Sequence, residues 1–280
     1  MSRPGIESGL DLLSNDTRFD ILRALARQRF EEGGVAHMTF TELFESVETG
    51  DSGNFNYHLN RLIDRLVRKE GEHYRLTYGG VQLFSWLQAA TYAPGYEYDV
   101  IHLEQSCPFC DKELTATYEE GHMDIGCEDH WLLGAYVHPT WIESLPVDDL
   151  IHQVSLMLQN DIELIANGIC PLCSGSLERF LQTDEEEYPN LYHYPCSQCG
   201  AEPRLRPPQT ALHDVRVEEF YRERGVELHE TAPWQLYDTF HSSRVISEDP
   251  PHVECEIVVD GDAAFVTVDG LGSIVSYDEA

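Results

Sequence analysis

The 280-residue sequence predicts an α+β protein built from four successive parts. Three observations predict this class. A helical apolar stripe is followed by a short alternating segment, metal-type cysteine pairs occupy the middle of the chain, and alternating strand-like segments close it. We predict an N-terminal winged helix-turn-helix, two zinc-ribbon modules bridged by a helix, and C-terminal helices with a small antiparallel sheet. The expected boundaries enclose residues 1–92, 93–145, 146–207 and 208–280.

The segment Asp51–Arg75 predicts a helix followed by a two-stranded ribbon. Asp51 or Ser52 is expected to cap the helix, because a side-chain oxygen satisfies its first free amides. The apolar stripe recurs at helical spacing and comprises Phe55, Leu59, Leu62, Ile63 and Leu66. Period-2 alternation then places Val67, Tyr74 and Leu76 toward a core. A helix followed by such a hairpin is a winged helix.

The flanking segments predict the rest of this domain. A helix is expected over Leu10–Ala26, a loop over Arg27–Thr39 and a short helix over Thr39–Val47, with a threonine cap. Two helices in this order form a helix-turn-helix. The segment Gly80–Thr91 is apolar on more than one face, so we expect it to form the contact of a homodimer.

The exposed side of the predicted helix and ribbon carries side chains that suit DNA. Asparagine amides pair with base edges, arginine pairs with guanine or phosphate, and ribbon cations suit the backbone. The candidate contacts with double-stranded DNA are Ser52, Asn54, Asn56, Tyr57, Asn60, Arg61, Lys69, His73 and Arg75.

Two motifs carry a family resemblance. LSNDTRFDILRAL resembles the opening of ArsR-like winged-helix transcriptional regulators, and NYHLNRLIDRLV is similar to their recognition helix. The resemblance spans roughly residues 8–92 and implies base contacts by Asn54, Asn56 and Tyr57. The metal-sensing cysteine motif of some ArsR members is absent, since the first cysteine is Cys107. With zinc modules behind this domain, the whole chain resembles haloarchaeal ArsR-type regulators.

Composition indicates a halophilic protein. The net charge is -32, and among the 18 basic residues only Lys69 and Lys112 are lysines. An excess of aspartate and glutamate with so few lysines keeps a protein hydrated in concentrated salt. Residues 1–90 hold 10 basic and 13 acidic residues, net -3; the remaining 8 and 37 give residues 91–280 a net charge of -29. The near-neutral part is the one assigned to DNA. Because no signal peptide or long apolar segment is evident, we expect a cytoplasmic protein.

Cysteine spacing predicts two metal sites. Each site combines two short turns that can present thiolates to one tetrahedral Zn²⁺ ion. The first set is Cys107, Cys110, Cys127 and His130, and the second is Cys170, Cys173, Cys196 and Cys199. For the first, His122 or His138 could replace His130, or the Cys107/Cys110 pair could be a relic. Cys255 is predicted to be a small, buried hydrophobic residue.

The remaining segments predict helices and strands without a functional motif. A helix is expected over Val147–Asn167, ending at Asn167-Gly168. The tail predicts a helix over Leu212–Arg224, a short helix over Trp234–Phe240 and strands over the segments Val253–Val259, Ala263–Val268 and Ser273–Tyr277. A redox role for Cys170/Cys173 would need a βαβ context that does not follow, and without a nucleophile or phosphate-binding motif we do not expect an enzyme.

These patterns favour a dimeric, sequence-specific transcriptional regulator with structural zinc; whether it senses an effector ligand is left open by the sequence. One alternative is a general factor that binds RNA polymerase, similar to archaeal transcription factor E, which also joins a winged helix to a zinc ribbon. That factor is expected to have one ribbon, whereas this chain predicts two. A second alternative is an acidic protein-interaction module that does not bind DNA.

Overall fold

The computed structural model describes residues 12–32, 37–47, 49–89, 97–119, 121–183 and 190–280. Helices and antiparallel sheets are combined, so the predicted α+β class is confirmed. The chain divides into two compact units, Met1–Ala93 and Pro94–Ala280. The first predicted boundary falls within one residue of this division. The two later predicted boundaries, after residues 145 and 207, fall inside the second unit.

The first unit contains helices and one three-stranded antiparallel sheet. Its elements are α1 (Asp16–Glu32), β1 (Met38–Thr39), α2 (Phe40–Ser46), α3 (Ser52–Leu62), β2 (Val67–Glu70), β3 (His73–Leu76) and α4 (Tyr78–Ala89). The strand order is β1-β3-β2, so the short strand before α2 pairs with the second strand of the ribbon. Helix α4 begins two residues before the predicted Gly80.

Helix α1 extends farther than the sequence analysis expected. It continues through Glu32 instead of ending at Ala26, so the predicted Arg27–Thr39 loop was wrong over its first part. The intervening residues, ARQRFEE, include good helix formers such as alanine, arginine, glutamine and glutamate, and nothing among them stops propagation. Residues 10–11 and 33–36 lie outside the described part of the chain.

Helices α2 and α3 begin at side-chain caps. Thr39 accepts from the Glu42 backbone amide at 3.3 Å, while the Glu42 carboxylate accepts from the Thr39 amide at 2.7 Å, which is a capping box. Asp51 accepts from the amides of Gly53 and Asn54 and caps α3. The predicted stripe overran this helix, because α3 ends at Leu62 and Asp64 adopts a left-handed φ of 63°. Ile63 and Leu66 are half-buried beyond it.

The first unit is held by an apolar core. Residues from α1, α2, α3 and the ribbon pack together, including Leu22, Leu43, Phe55, Leu59 and Val67. Every residue of this sample is almost fully buried. The side chains that the alternation placed toward a core, Tyr74 and Leu76, are also buried.

The second unit begins with a four-stranded antiparallel sheet in the order β4-β5-β6-β7. Its strands are β4 (Glu97–Ser106), β5 (Glu113–Glu119), β6 (His122–Gly126) and β7 (Trp131–Tyr136). The predicted hairpin around residues 119–122 is confirmed by β5 and β6. Strands β4 and β7 were not predicted. The helix α5 (Pro139–Ser144) follows.

The bridging helix α6 (Val147–Ala166) connects two apolar cores and confirms the prediction for this segment. Leu150, Val154 and Leu158 pack with the β4–β7 sheet, whereas Ile162 and Ile165 pack with the later part of the chain. The C-cap is Asn167, as predicted from the Asn-Gly pair. One helix therefore stabilises both parts of the unit.

The last part contains a short sheet, short helices and a second four-stranded sheet. The elements are β8 (Phe180–Gln182), β9 (Leu191–His193), β10 (Arg204–Leu205), α7 (Pro207–Ala211), α8 (Val215–Glu223), a 3-10 helix (Gln235–Thr239), β11 (Phe240–Glu248), β12 (Pro251–Val259), β13 (Asp262–Asp269) and β14 (Ile274–Glu279). Cys255 is fully buried in β12, as expected of a hydrophobe.

Two predictions for this tail needed correction. The helix predicted from Leu212 begins at Val215, because Asp214 caps it by accepting from the Arg216 amide. Val215 therefore lies at the surface, with 71% of its area exposed, and does not belong to the buried apolar side of this helix. The closing sheet has four strands instead of three. Its additional strand, β11, was missed because FHSSRVISE has few apolar residues to mark an alternating face.

Candidate metal centres and candidate nucleic-acid interface

Four side chains from two turns converge beside the β4–β7 sheet. Cys107 and Cys110 lie on the turn between β4 and β5, and Cys127 and His130 on the turn between β6 and β7. Their ligand atoms all lie within 4.8 Å of one another. We call this set cluster I; it could hold a metal ion and fits a zinc-ribbon module.

Four cysteines converge in the same way around the β8–β10 sheet. Cys170, Cys173, Cys196 and Cys199 also have all their sulfur atoms within 4.8 Å. We call this set cluster II. Two of these cysteines are buried, one is half-buried and Cys199 is exposed, so the site lies at the surface of its core.

Three of the four turns share one backbone geometry. In each, the first cysteine donates its amide to the carbonyl five residues later, and its own carbonyl accepts from the amide four residues later. That fourth residue is left-handed in every case: Asp111 at 59°, Ser174 at 56° and Gly200 at 80°. The turn of Cys127 and His130 differs, because the Cys127 amide donates to the His130 carbonyl at 2.9 Å.

The interatomic distances fit a tetrahedral ion. Metal–sulfur bonds of about 2.3 Å and metal–nitrogen bonds of about 2.0 Å place neighbouring ligand atoms roughly 3.6–3.8 Å apart. In cluster I, His130 Nδ1 is 3.6 Å from the sulfur atoms of both Cys107 and Cys127. In cluster II, the Cys170–Cys199 and Cys173–Cys196 sulfur distances are 3.6 and 3.5 Å. Both sets already have the spacing of a first coordination shell.

Hydrogen bonds lower the pKa of one cysteine thiol in each cluster. Burial raises the pKa of Cys127, but hydrogen bonds from the Asp129 amide and His130 outweigh it and bring this pKa to about 6. Amides of Cys199 and Gln198 lower the pKa of Cys196 to about 7. Because metals bind the thiolate, these groups give each site a ligand that is readily deprotonated.

The alternative histidines for cluster I have other contacts. His122 Nδ1 lies 3.3 Å from a carboxylate oxygen of Asp124. His138 caps α5 and accepts from the Thr140 amide. Only His130 among these three joins the convergent set, so the fourth ligand position belongs to His130.

The candidate DNA contacts on α3 share the exposed side of that helix. The opposite side of α3, which carries the predicted apolar stripe, is buried, and this buried side also includes His58. Burial, followed by the charge of Arg18, lowers the pKa of His58. The exposed side chains are those of Ser52, Asn54, Asn56, Tyr57, Asn60 and Arg61.

The ribbon contacts are less uniform than their alternation suggested. Lys69 and His73 are exposed, with the Lys69 ammonium over the Tyr74 ring at 5.4 Å. Arg75 is half-buried, and its guanidinium donates to the Glu70 carboxylate at 2.7 Å. This pair crosses the hairpin, so Arg75 is partly used to hold the ribbon. Arg68 is exposed and lies opposite Arg75; it was missed, although its place between Val67 and Lys69 could have indicated it.

Two family models match the chain. The model of the domain of unknown function DUF7351 matches residues 104–274, and that of the domain of unknown function DUF7347 matches residues 7–87. The comparisons with curated proteins and with solved structures found no match. The two matched segments separate at the same place as the two compact units. Among the described residues, none of the helices is both long and apolar enough to cross a membrane.

Proposed function

This chain belongs to the DUF7351 family, and we propose that it is a sequence-specific DNA-binding transcriptional regulator. Its first unit acts as a winged helix-turn-helix, with α3 as the recognition helix and the β2–β3 ribbon as the wing. Its second unit holds two structural zinc ions. The observation that carries the proposal is the division of α3 into a fully packed side and an exposed side rich in amides.

The order of elements supports the winged-helix assignment. Helix α2 is followed after a short connection by α3, and then by a hairpin that pairs with the strand before α2. In this arrangement the second helix of the pair enters the major groove, while the hairpin lies beside the backbone. Arg68 and Lys69 are exposed on the hairpin, where phosphate contacts are expected.

A pair of amides on α3 is arranged as one unit. The Asn60 side-chain amide donates to the Asn56 side-chain oxygen at 3.2 Å, one helical turn apart. This bond holds both side chains in place and leaves the Asn56 N–H groups and the Asn60 carbonyl oxygen for a ligand. Adenine presents an acceptor at N7 and a donor at N6 in the major groove, so such a donor–acceptor pair matches an adenine edge. Tyr57, with 57% of its surface exposed, lies beside them.

The ligand sets support zinc in a structural role. Three thiolates with one imidazole, or four thiolates, are sets that zinc takes in tetrahedral sites. Four protein ligands leave no open position, which separates such sites from catalytic zinc. Dimerisation through α4 and location in the cytoplasm remain part of the proposal. The structure describes the side chains of α4 only as far as residue 85, where Phe84 packs 6.4 Å from Phe19.

The test is selection of a binding site. Full-length chain carrying its metal is mixed with random duplexes in molar KCl, and bound DNA is sequenced over several rounds. We expect enrichment of one motif, with two half-sites if the chain is a dimer. Equal recovery of all duplexes would contradict sequence-specific binding, and recovery of none would favour the interaction module. Co-purification with RNA polymerase without an enriched motif would favour the general factor.

A further inference from the structure

The first sheet of the second unit has an open side with ring side chains on it. Trp131 and Tyr136 project from β7, and His122 projects from β6, opposite Tyr136 in the strand pairing. Asp124 lies on the same side of β6, and Glu119 pairs with His122 from β5. We call these five residues the aromatic face.

Contacts within the aromatic face fix its shape. The Trp131 indole donates to the Asp124 carboxylate at 2.7 Å, so the ring lies across the strands. The His122 ring meets the Tyr136 ring edge-on, with centroids 5.2 Å apart. Gly134 lies between them, and a Cβ at that position would come within 2.6 Å of His122 and 2.7 Å of Asp124. Glycine is therefore required for the carboxylate and imidazole to lie where they do.

The rings are not there to fill the core. Leu132 and Ala135, on the same strand, are buried, whereas Trp131 keeps 50% and Tyr136 65% of its surface exposed. Leaving two large rings together on a sheet surface is unfavourable for a domain that needs no partner there. Their exposure points to a ligand that covers the rings.

The charge of the face selects the kind of ligand. Asp124 and Glu119 are carboxylates, and the one basic side chain among the five residues is the imidazole of His122, whose Nδ1 lies 3.3 Å from an Asp124 oxygen. A phosphate-bearing ligand would be repelled by these groups. A cation would instead gain from both the π-faces and the carboxylates, and a guanidinium gains most, because it stacks on rings and pairs with carboxylates in one plane.

The same chain holds its own arginines with this chemistry. The Arg224 guanidinium lies 3.8 Å from the centre of the Phe220 ring and donates to Asp262 and Glu279. Arg216 lies over the Tyr277 ring at 5.5 Å and pairs with Asp214. In both places, a ring and one or more carboxylates surround a guanidinium. The aromatic face has rings and carboxylates, but the group beside Asp124 is the His122 imidazole, so the face supplies no guanidinium of its own.

We propose that the aromatic face is a docking site for an arginine side chain of a polypeptide partner. The guanidinium would stack on Trp131 and pair with Asp124, whose carboxylate accepts from the Trp131 indole. Every residue that carries this interaction lies in the second unit, whereas the proposed DNA contacts lie in the first.

The test uses a labelled peptide with two arginines separated by glycine, titrated into the metal-loaded full-length chain. Its partner probe has citrulline in place of arginine, which keeps the planar shape and removes the charge. We expect the arginine peptide to bind roughly threefold to tenfold more tightly than the citrulline peptide, from stacking plus ion pairing at an exposed site. The indole N–H signal of Trp131 should shift during the titration.

Variants separate the contributions of ring and charge. Asp124→Asn retains an oxygen acceptor for the Trp131 indole but loses the charge, and we expect about threefold weaker binding. Trp131→Ala should weaken binding roughly fivefold while metal content stays unchanged. Phe180→Ala removes an exposed ring from the other ribbon and should have no effect. Equal binding of both peptides, or unchanged binding by Trp131→Ala, would overturn the proposal, as would binding of a neutral oligosaccharide in their place.

Discussion

The two units of the chain differ in net charge and in their content of potential metal ligands. The first carries 10 basic and 13 acidic residues, net -3, and among its described residues there is no cluster of potential metal ligands. The second carries 8 and 37, net -29, and contains both cysteine clusters. Its first ribbon and its second ribbon belong to separate apolar cores joined by α6. The first unit is therefore stabilised by apolar packing, and we expect the second to be stabilised by bound metal as well.

The difference in charge follows the difference in proposed role. A surface with a net charge of -29 repels DNA, whereas the near-neutral first unit does not impose that barrier. The acidic unit is expected to keep the chain hydrated in concentrated salt, and the first unit exposes the side of α3 that is proposed to contact bases.

Removal of metal is expected to have the largest effect. A structural zinc site contributes on the order of 10 kcal/mol or more to folding in small domains, so a strong chelator should unfold the ribbons of the second unit. The first unit should retain its structure, because its described residues form no cluster of metal ligands and pack around an apolar core. Amide hydrogen exchange resolves the two: we expect loss of protection in β5–β7 and β9, with protection of α1 and α3 maintained. Uniform loss of protection across both units would contradict the contrast.

Loss of one cysteine should remove one of the two ions. Cys173→Ser is expected to lower metal content from close to two ions per chain to close to one, because cluster II loses a thiolate ligand. Cys255→Ala is the matched control, since Cys255 is buried in β12 and belongs to neither cluster. Metal content is measured by elemental analysis of reduced protein. Less than one ion per chain in the unaltered protein would refute two sites.

The fourth ligand of cluster I gives a smaller and more specific effect. His130→Ala should remove about one ion per chain, and His130→Cys should restore it, because thiolate and imidazole both suit a tetrahedral site. His122→Ala should leave metal content unchanged, since His122 contacts Asp124 instead. Loss of an ion in His122→Ala, with retention in His130→Ala, would show that the wrong histidine had been assigned.

Local sequence patterns predicted the metal-ligand clusters, the helix caps and the buried positions of the ribbon. Cysteine spacing identified the eight residues of both clusters, because each short turn must place two ligands at one point. The caps at Thr39 and Asp51 and the buried positions of Tyr74 and Leu76 followed from residue type and periodicity. The predicted DNA contacts remain predictions, although the structure exposes all of them except the half-buried Arg75.

Features that depend on strand pairing were not predicted from the sequence. Strand β11 is an edge strand that pairs with the next strand, β12, and its few apolar residues do not mark an alternating face. The Arg75–Glu70 pair was not predictable, because it depends on the register across the β2–β3 hairpin. Similarly, the aromatic face emerges only when β6 and β7 are paired. Its rings are not adjacent in the sequence.

The central claim is that the exposed side of α3 determines DNA sequence preference. In molar salt the Debye length is about 3 Å, so long-range attraction between arginine and phosphate is screened and base contacts must provide most of the specificity. We therefore expect a shallow salt dependence for the specific complex. Arg68→Ala on the wing should weaken specific and random duplexes alike, because its expected contact is with phosphate.

The most direct measurement compares the affinity of Asn56→Ala for the selected duplex and for a random duplex. Asn160→Ala, an exposed asparagine on α6, is the matched control. We expect Asn56→Ala to lose about 1–3 kcal/mol at the selected duplex, the range of a bidentate base contact, and to bind the random duplex as before. The control should change neither affinity. Unchanged affinity of Asn56→Ala for the selected duplex, together with loss of sequence preference in Arg68→Ala, would contradict the assignment of α3 as the reading helix.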